Sequence, residues 1–392
     1  MRISNVLVFI SAIVASGSSL RGDATTETTS PSSEDLVDIV EVSSILSELT
    51  NTVVDSVELP SSTSAPDALA PVTSGFVTND GERIAFRRWN PDVEPRAVVY
   101  IVHGMAEHSG RYDPFARELV SSLGVRVIAL DQRGHGLTST HGGTMEDRLG
   151  QFRKGEKVPH PNAITIMGHD VCDLILATHE GLPVILFGHS MGSVVARTAL
   201  IVANDEVSRI VKGLILSGVP SAPHWLEMYP LHALAAVVKS TGLGHALVQR
   251  TFTKLKFDFP VKQKTKDMTL PENCFVSSDP AECELFNSDP YTNHLVDPEI
   301  LFSIVVTLAD LEKTTYFGSP KIDVLFITGR DDAVAKFGDT ARADADRMTK
   351  AGHQVTEIYF SGARHEVLRE RAPVRRESTA QMVAWIRTKL DL

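Results

Sequence analysis

The sequence predicts an α/β protein: a doubly wound, mostly parallel sheet interrupted by a helical insertion. Three observations lead there. Six short, Val- and Ile-rich runs recur: AVVYIVHG (97–104), VRVIALDQ (125–132), PVILFGHS (183–190), VKGLILSG (211–218), IDVLFITG (322–329) and HQVTEIYFSG (353–362). Helical patterns alternate with them, at Asp113–Leu123, Ala163–His179, Met191–Ala203, Thr340–Lys350 and Ser378–Lys389. One connection, between Ser217 and Ile322, is far longer than the few residues that usually join such elements.

Each observation has a physical reading. Runs that are apolar at nearly every position suit strands covered on both faces, as in parallel sheets. Strand–helix alternation then implies right-handed crossovers. The long connection must carry structure of its own; we place a helical cap at about 219–320, at the carboxyl ends of the strands, where open α/β sheets bind ligands. Residues Phe76–Trp89, with a turn at Asn79-Asp80-Gly81, read as an opening β-hairpin.

The ends and the charge separate the chain into segments. Residues 1–19 combine Arg2, an apolar stretch from Val6 to Ala15 and small residues through Ser19, the layout of a secretory signal peptide. That stretch is too short to anchor in a bilayer, which takes about 20 apolar residues. From Gly22 to Glu82 there are twelve Asp or Glu and no Lys or Arg. Residues 20–73 therefore read as an acidic, Ser/Thr-rich disordered extension, within which Leu36, Ile39, Val40, Leu46 and Leu49 could line a short helix. Residues 74–392 form the main domain. The whole chain of 392 residues is 43% hydrophobic, enough for a sizeable core, and its net charge of −11 argues against nucleic-acid binding. Three cysteines exclude a disulfide framework. An oxidising compartment still makes a bridge between Cys274 and Cys283 an expectation, with Cys172 a buried thiol.

The chemistry concentrates at strand ends. GHSMG (188–192) follows one strand run and opens a helical pattern, the context in which G-x-S-x-G presents a nucleophilic serine. Ser190 is the candidate nucleophile. A serine hydroxyl needs a base, and the base needs an orienting acid. In this strand–turn–helix architecture the acid and then the histidine follow the serine in the chain. ITGRDDAV (327–334) offers Asp332, with Asp331 as the alternative, and SGARHEVLRE (361–370) offers His365 after the last strand. Met191, the residue after the nucleophile, and Met105, after His103-Gly104, are the expected backbone donors to an oxyanion. DQRGHG (131–136) reads as turn chemistry, with Asp131 and Arg133 pairing locally, and His103, His108, Arg111, Tyr112 and His189 as structural residues. No metal-ligand cluster, Walker A loop or post-strand G-x-G-x-x-G is present, so no metal or cofactor is expected.

HGMAEHSGRY (103–112), DQRGHG, GHSMG, GRDD (329–332) and GARHEVLRE (362–370), in this order, resemble the monoglyceride lipase and lysophospholipase branch of the α/β-hydrolase superfamily. The resemblance implies hydrolysis of acyl esters of glycerol or glycerophospholipids beneath a mobile apolar cap. Ser190, Asp332 and His365 stand at its triad positions, and Met105 and Met191 at its oxyanion positions. In the cap, WLEMYPLHALAAVV (225–238) places Trp225, Met228, Leu231 and Leu234 at roughly helical spacing, and ILFSIVVTLA (300–309) is apolar nearly all round. The first four are candidates to contact an acyl chain, and their segment to touch a membrane or micelle surface transiently. The reading is thus a secreted serine hydrolase of a monoacyl lipid ester, acting through an acyl-enzyme. The alternatives are a short-chain esterase or peptidase on the same fold, and a non-catalytic secreted binding protein.

Overall fold

A computed structural model describes residues 54–55, 71–78, 80–140, 149–152, 163–203, 205–220, 249, 253–313 and 321–392. Nine strands form one sheet: β1 (Val54–Asp55), β2 (Val72–Val77), β3 (Arg83–Trp89), β4 (Val98–Val102), β5 (Arg126–Leu130), β6 (Val184–His189), β7 (Val211–Ser217), β8 (Asp323–Gly329) and β9 (Gln354–Phe360). Their order is β1-β2-β3-β5-β4-β6-β7-β8-β9. From β5 to β9 every pairing is parallel; β1, β2 and β3 join antiparallel. All six strand runs named from the sequence are strands. The hairpin is also present, but β2 begins at Val72, four residues earlier than its apolar signal. Val54 and Asp55, within the segment read as an extension, pair with Phe76 and Gly75.

The order reverses where β4 sits between β5 and β6. Strands β4 and β6 are buried at every position, so neither face can meet water. Helices α1 (Asp113–Leu123) and α9 (Ala372–Leu390) cover one face, packing Phe115, Leu119, Met382 and Ile386 against Val99, Ile101, Phe187 and Leu325. Helices α2 (Ala163–Thr178), α3 (Met191–Val202), α7 (Pro298–Lys313) and α8 (Asp339–Lys350) cover the other, with Ile164, Val171, Val194, Leu308 and Met348 in its core. The remaining helices are α4 (Asp205–Ile210), α5 (Phe259–Thr265) and α6 (Pro280–Ser288), with a π-helical turn at Lys254–Asp258 before α5.

Alternation along β4 explains the two cores: Val98, Tyr100 and Val102 face one, Val99 and Ile101 the other. The apolar helix read at 300–309 is the centre of α7. It turns Ile300, Leu308 and Leu311 into the core, and Ser303 Oγ accepts the Ala163 N–H at 3.0 Å, holding α7 to the start of α2. Among the described residues no helix is long and apolar enough to cross a membrane.

The loops after β4 and β5 brace each other. His103 Nε2 accepts the Gln132 N–H at 3.0 Å, and His135 Nε2 accepts the Ala106 N–H at 3.1 Å. Burial pushes both imidazoles below their ordinary pKa, so they accept as neutral rings. Asp131 does pair locally, accepting the Leu137 N–H at 2.8 Å, but it and Arg133 also fasten distant elements. Asp131 binds Arg87 at 3.0 Å and the Ser109 N–H at 2.7 Å. Arg133 binds Asp170 of α2 through two 2.7 Å bonds and Asp80 of the hairpin turn at 2.7 and 3.0 Å. The spacing within DQRGHG carried no trace of these partners. Gly134 and Gly136 do hold positive φ, as turn chemistry requires.

Arg133 is 1% exposed, so its removal leaves the buried Asp170 carboxylate without its counter-charge. Arg133→Leu is expected to cost about 3–5 kcal/mol, read as a lowered urea midpoint at unchanged slope. A loss below about 1 kcal/mol would show that water replaces the guanidinium there.

Candidate active site

Ser190 sits where β6 turns into α3, at φ 51° and ψ −121°. A positive φ is strained for a residue with a Cβ, by about 1–3 kcal/mol, and persists only where the surroundings enforce it. They do so here. The Ser190 N–H donates to Ser217 O at the end of β7, and its carbonyl accepts from Ser193 N at 2.9 Å and Ser193 Oγ at 2.6 Å. Helix α3 then passes close over β4: a Cβ at Gly192 would lie 2.0 Å from Val102 O and 2.5 Å from His103 O. Only glycine fits that crossing. The same crossing sets Gly104 beside the serine, since a methyl there would meet Ser190 Cβ at 3.1 Å.

Met191 opens α3, and the amides of a helix's first turn have no acceptor within the helix. Met105, partly buried, occupies the turn directly after Gly104. Of the two residues expected to supply backbone donors, Met191 follows Ser190 at the end of β6 and Met105 follows Gly104 at the end of β4, where Gly104 packs against Ser190. Their side chains differ in environment: Met191 belongs to the core on the α2–α3 side, and Met105 packs against that core's margin.

His365 lies in the loop after β9, and its ring reaches back over the end of β7. A Cβ at Gly218, which has φ 58°, would come within 2.9 Å of His365 Cε1 and Nδ1. The Ser217–Gly218 turn thus carries both the Ser190 backbone bond and the imidazole contact. His365 Nδ1 pairs with Asp332 Oδ2 at 2.9 Å, which leaves Nε2 as the nitrogen free to exchange a proton. Asp332 follows β8 and is fully buried; its other oxygen accepts the N–H groups of Val334 at 2.9 Å and Ala335 at 3.2 Å. Burial opposes a charged imidazole, but the Asp332 carboxylate and its hydrogen bond prevail, and the His365 pKa lies above its ordinary value. Asp331, the alternative acid, instead pairs with Lys264 at 3.0 Å.

His189 stacks on His365, with ring centroids 4.7 Å apart. Burial, then the neighbouring His365, pushes His189 down to about 4, so it is a neutral packing partner. Glu107 and Glu366, which the sequence reading left without a role, form one buried chain with Arg111, which it read as structural. Glu107 Oε1 accepts the Gly104 N–H at 2.5 Å and the Tyr112 hydroxyl at 2.9 Å; Glu107 Oε2 binds Arg111 at 2.6 Å. Arg111 in turn clasps Glu366, next to His365, at 2.9 and 2.7 Å. Burial alone would raise the Glu107 pKa; the Arg111 charge and the surrounding donors hold it well below the carboxylate range. The signal was present, since HGMAEHSGRY and GARHEVLRE carry complementary charges, but which pairs with which is a tertiary fact. A cavity of about 330 Å³ lies beside this chain, lined by Tyr112, Phe115, Phe187, His189 and Ser217 among others.

Trp225, Met228, Leu231 and Leu234 lie outside the described residues. Cys274 and Cys283 are joined as a disulfide, and Cys172 is a buried thiol whose pKa burial pushes up to about 12. Among the described residues no group of three His, Cys, Asp or Glu side chains could hold a metal ion.

A strained serine on a strand-to-helix turn, with a histidine–carboxylate pair supplied by later strands of the same sheet, defines an α/β-hydrolase. The family model described as serine aminopeptidase, S33, matches residues 93–372, and the chain belongs to that family. A monoglyceride lipase homolog of Monkeypox virus is 28% identical over 310 residues, 78% of this chain and 95% of that protein. A monoacylglycerol lipase of Mycolicibacterium smegmatis is 28% identical over 316 residues, 79% of this chain and 95% of that protein. Among solved structures, a thermostable carboxyl esterase from Bacillus coagulans superposes with a TM-score of 0.64 at 22% identity, covering 82% of this chain and 99% of the esterase. The chain is a lipase- or esterase-type hydrolase of the monoglyceride-lipase-like branch.

The His365–Asp332 pair can be tested directly. In an NMR titration His365 is expected to protonate at a higher pH than a free histidine. Asp332→Asn should move that titration downward. The sign follows from linkage: a raised pKa stabilises the fold below the unfolded value, and the contribution fades as pH rises through the folded value. A His365 titration unmoved by Asp332→Asn would exclude the carboxylate as its cause.

Proposed function

We propose that the protein is a secreted serine hydrolase that cleaves a monoacyl lipid ester through an acyl-enzyme. The observation that carries this reading is Ser190 at φ 51°, bonded to Ser217, with the His365–Asp332 pair against the adjoining Gly218, because an idle serine has no reason to hold that strain. The lipid substrate is supported by the printed names of the relatives, monoglyceride lipase homolog and monoacylglycerol lipase. Secretion is supported by the signal-like residues 1–19 and by a disulfide of the kind that persists in oxidising compartments.

His365 Nε2 takes the Ser190 proton as Oγ attacks the ester carbonyl. Charge developing on the carbonyl oxygen is held by the N–H groups of Met105 and Met191, fixed before substrate arrives and so needing no reorganisation. Asp332 keeps the proton on Nδ1 and stabilises the imidazolium. His365 then protonates the leaving alcohol, and water repeats the sequence to free the fatty acid. Because only neutral His365 can act as base, turnover should fall as pH drops through its raised pKa.

The test compares 2-monooleoylglycerol, lysophosphatidylcholine, p-nitrophenyl butyrate and an aminoacyl anilide, with Ser190→Ala as the blank. Long-chain ester turnover that falls by about 10⁴-fold or more in Ser190→Ala is expected. Turnover of butyrate alone would move the reading to a short-chain esterase, and anilide turnover alone to a peptidase. Equal rates for wild type and Ser190→Ala would end it.

A further inference from the structure

GARHEVLRE holds more hydrogen-bonding groups than a proton relay needs, and most of them reach one other segment. Arg364 Nη1 donates to the carbonyls of Cys274 at 2.5 Å and Ser277 at 2.7 Å. The Arg364 and Ser278 N–H groups both donate to Glu370 Oε1, at 2.6 and 3.0 Å, and the Ser278 hydroxyl donates to Glu370 Oε2. Ser277 Oγ donates to Arg369 O at 2.8 Å. The His365 N–H itself donates to Phe275 O at 3.3 Å, and the Glu366 N–H to Val276 O at 2.8 Å. The Phe275 ring lies 6.2 Å from the imidazole. Glu370 is fully buried and Arg364 nearly so, so the bonds that Arg364 makes lie away from competing water.

Every acceptor or donor on the far side of this seam lies between Cys274 and Cys283, the two ends of a disulfide-closed loop. Closing so short a loop removes most of its alternative conformations. Its carbonyls at 274–277 are therefore set in place for the segment that carries His365. On the opposite flank, Glu282 inside the same loop pairs with Arg369 at 3.2 Å and Arg375 at 3.5 Å.

We infer that the Cys274–Cys283 loop is a positioning strap for His365, and that a dithiol reductant, by opening the bridge, slackens the strap and lowers turnover. The inference rests on the reading of His365 as the catalytic base. In the switching step a dithiol thiolate attacks one sulfur of the bridge and forms a mixed disulfide. The second thiolate then displaces the protein sulfur. Two protein thiols result, the reductant leaves as a cyclic disulfide, and two electrons and two protons pass to the protein; a disulfide oxidant reverses the exchange. Both sulfurs are buried, so the exchange waits on local opening of the loop.

The experiment uses the full chain, reduced with dithiothreitol under native conditions and reoxidised with oxidised glutathione. Thiols are counted in denaturant, amide exchange is followed at His365 and Glu366, and p-nitrophenyl butyrate gives kcat and KM. Two additional thiols, faster exchange at those two amides and a kcat lower by about tenfold or more are expected. KM should change by less than about twofold, and oxidised glutathione should restore both exchange and kcat. Two new thiols with unchanged exchange would overturn the strap, even in a preparation that cleaves no ester. So would faster exchange with unchanged kcat, or loss of the whole fold on reduction, which would make the bridge a global staple. An oxidised protein without Ser190-dependent turnover would instead defeat the hydrolase reading, while the exchange result still decides the strap.

Discussion

The site depends on one close approach, the crossing of α3 over the end of β4 at Gly192. Three features meet there. Around it the chain passes through the positive φ of Ser190, Gly104 lies against the serine, and α3 opens at Met191 with first-turn amides that have no acceptor within the helix. A side chain at 192 would separate these features by the width of a methyl group, and interiors packed at crystal density cannot absorb that. The strain at Ser190 is offset by bonds to Ser217 at the end of β7 and to Ser193 in the first turn of α3, so the serine is tightly held. That is the condition for electrostatic preorganisation, where donors must stand in place before charge develops.

Buried charge forms the second layer. Glu107, Arg111 and Glu366 run as a continuous ion-paired chain from the Gly104 amide to the residue after His365. Taking such charges out of water costs several kcal/mol each, so the chain does not earn its place by stability. What it provides is registry: the loop after β4 and the loop after β9 are locked through rigid, directional bonds that an apolar contact would leave free to slide. The same logic applies to Asp131 and Arg133, which fasten the hairpin, the loop after β5 and α2.

This layering explains what could be read from the sequence. The six strands and the order Ser190, Asp332, His365 were legible because they depend on local pattern and on chain order, which burial and topology dictate. Helix α9 was legible only from Ser378, although it starts at Ala372; Val374 is the one apolar contact of its early turns before the Arg375–Glu377 run, so no apolar period announces them, and Pro373 is the main cue. The ion pairs were not legible, because Arg111 and Glu366 are 255 residues apart and any of several acids could have served. Nor was the π-helical turn at Lys254–Asp258, which breaks the helical period that sequence reading relies on.

The described part of the insertion is more than a cover. It docks on the loops after β4 and β9 at once. Asn293 N–H donates to Ala106 O at 3.0 Å, and Asp289 pairs with His108 at 2.9 Å, both on the loop after β4. The segment Cys274–Ser278 docks on the loop after β9. A hundred-residue insertion that merely shielded the site from water would need one anchored edge and could vary elsewhere without effect on the chemistry. An insertion bonded to the backbone of both the loop after β4 and the loop bearing His365 is a structural part of the candidate site. Its internal fastening therefore sets how well Ser190, His365 and the two amides hold their relative positions, and misplacements of about an ångström there carry the steepest kinetic cost.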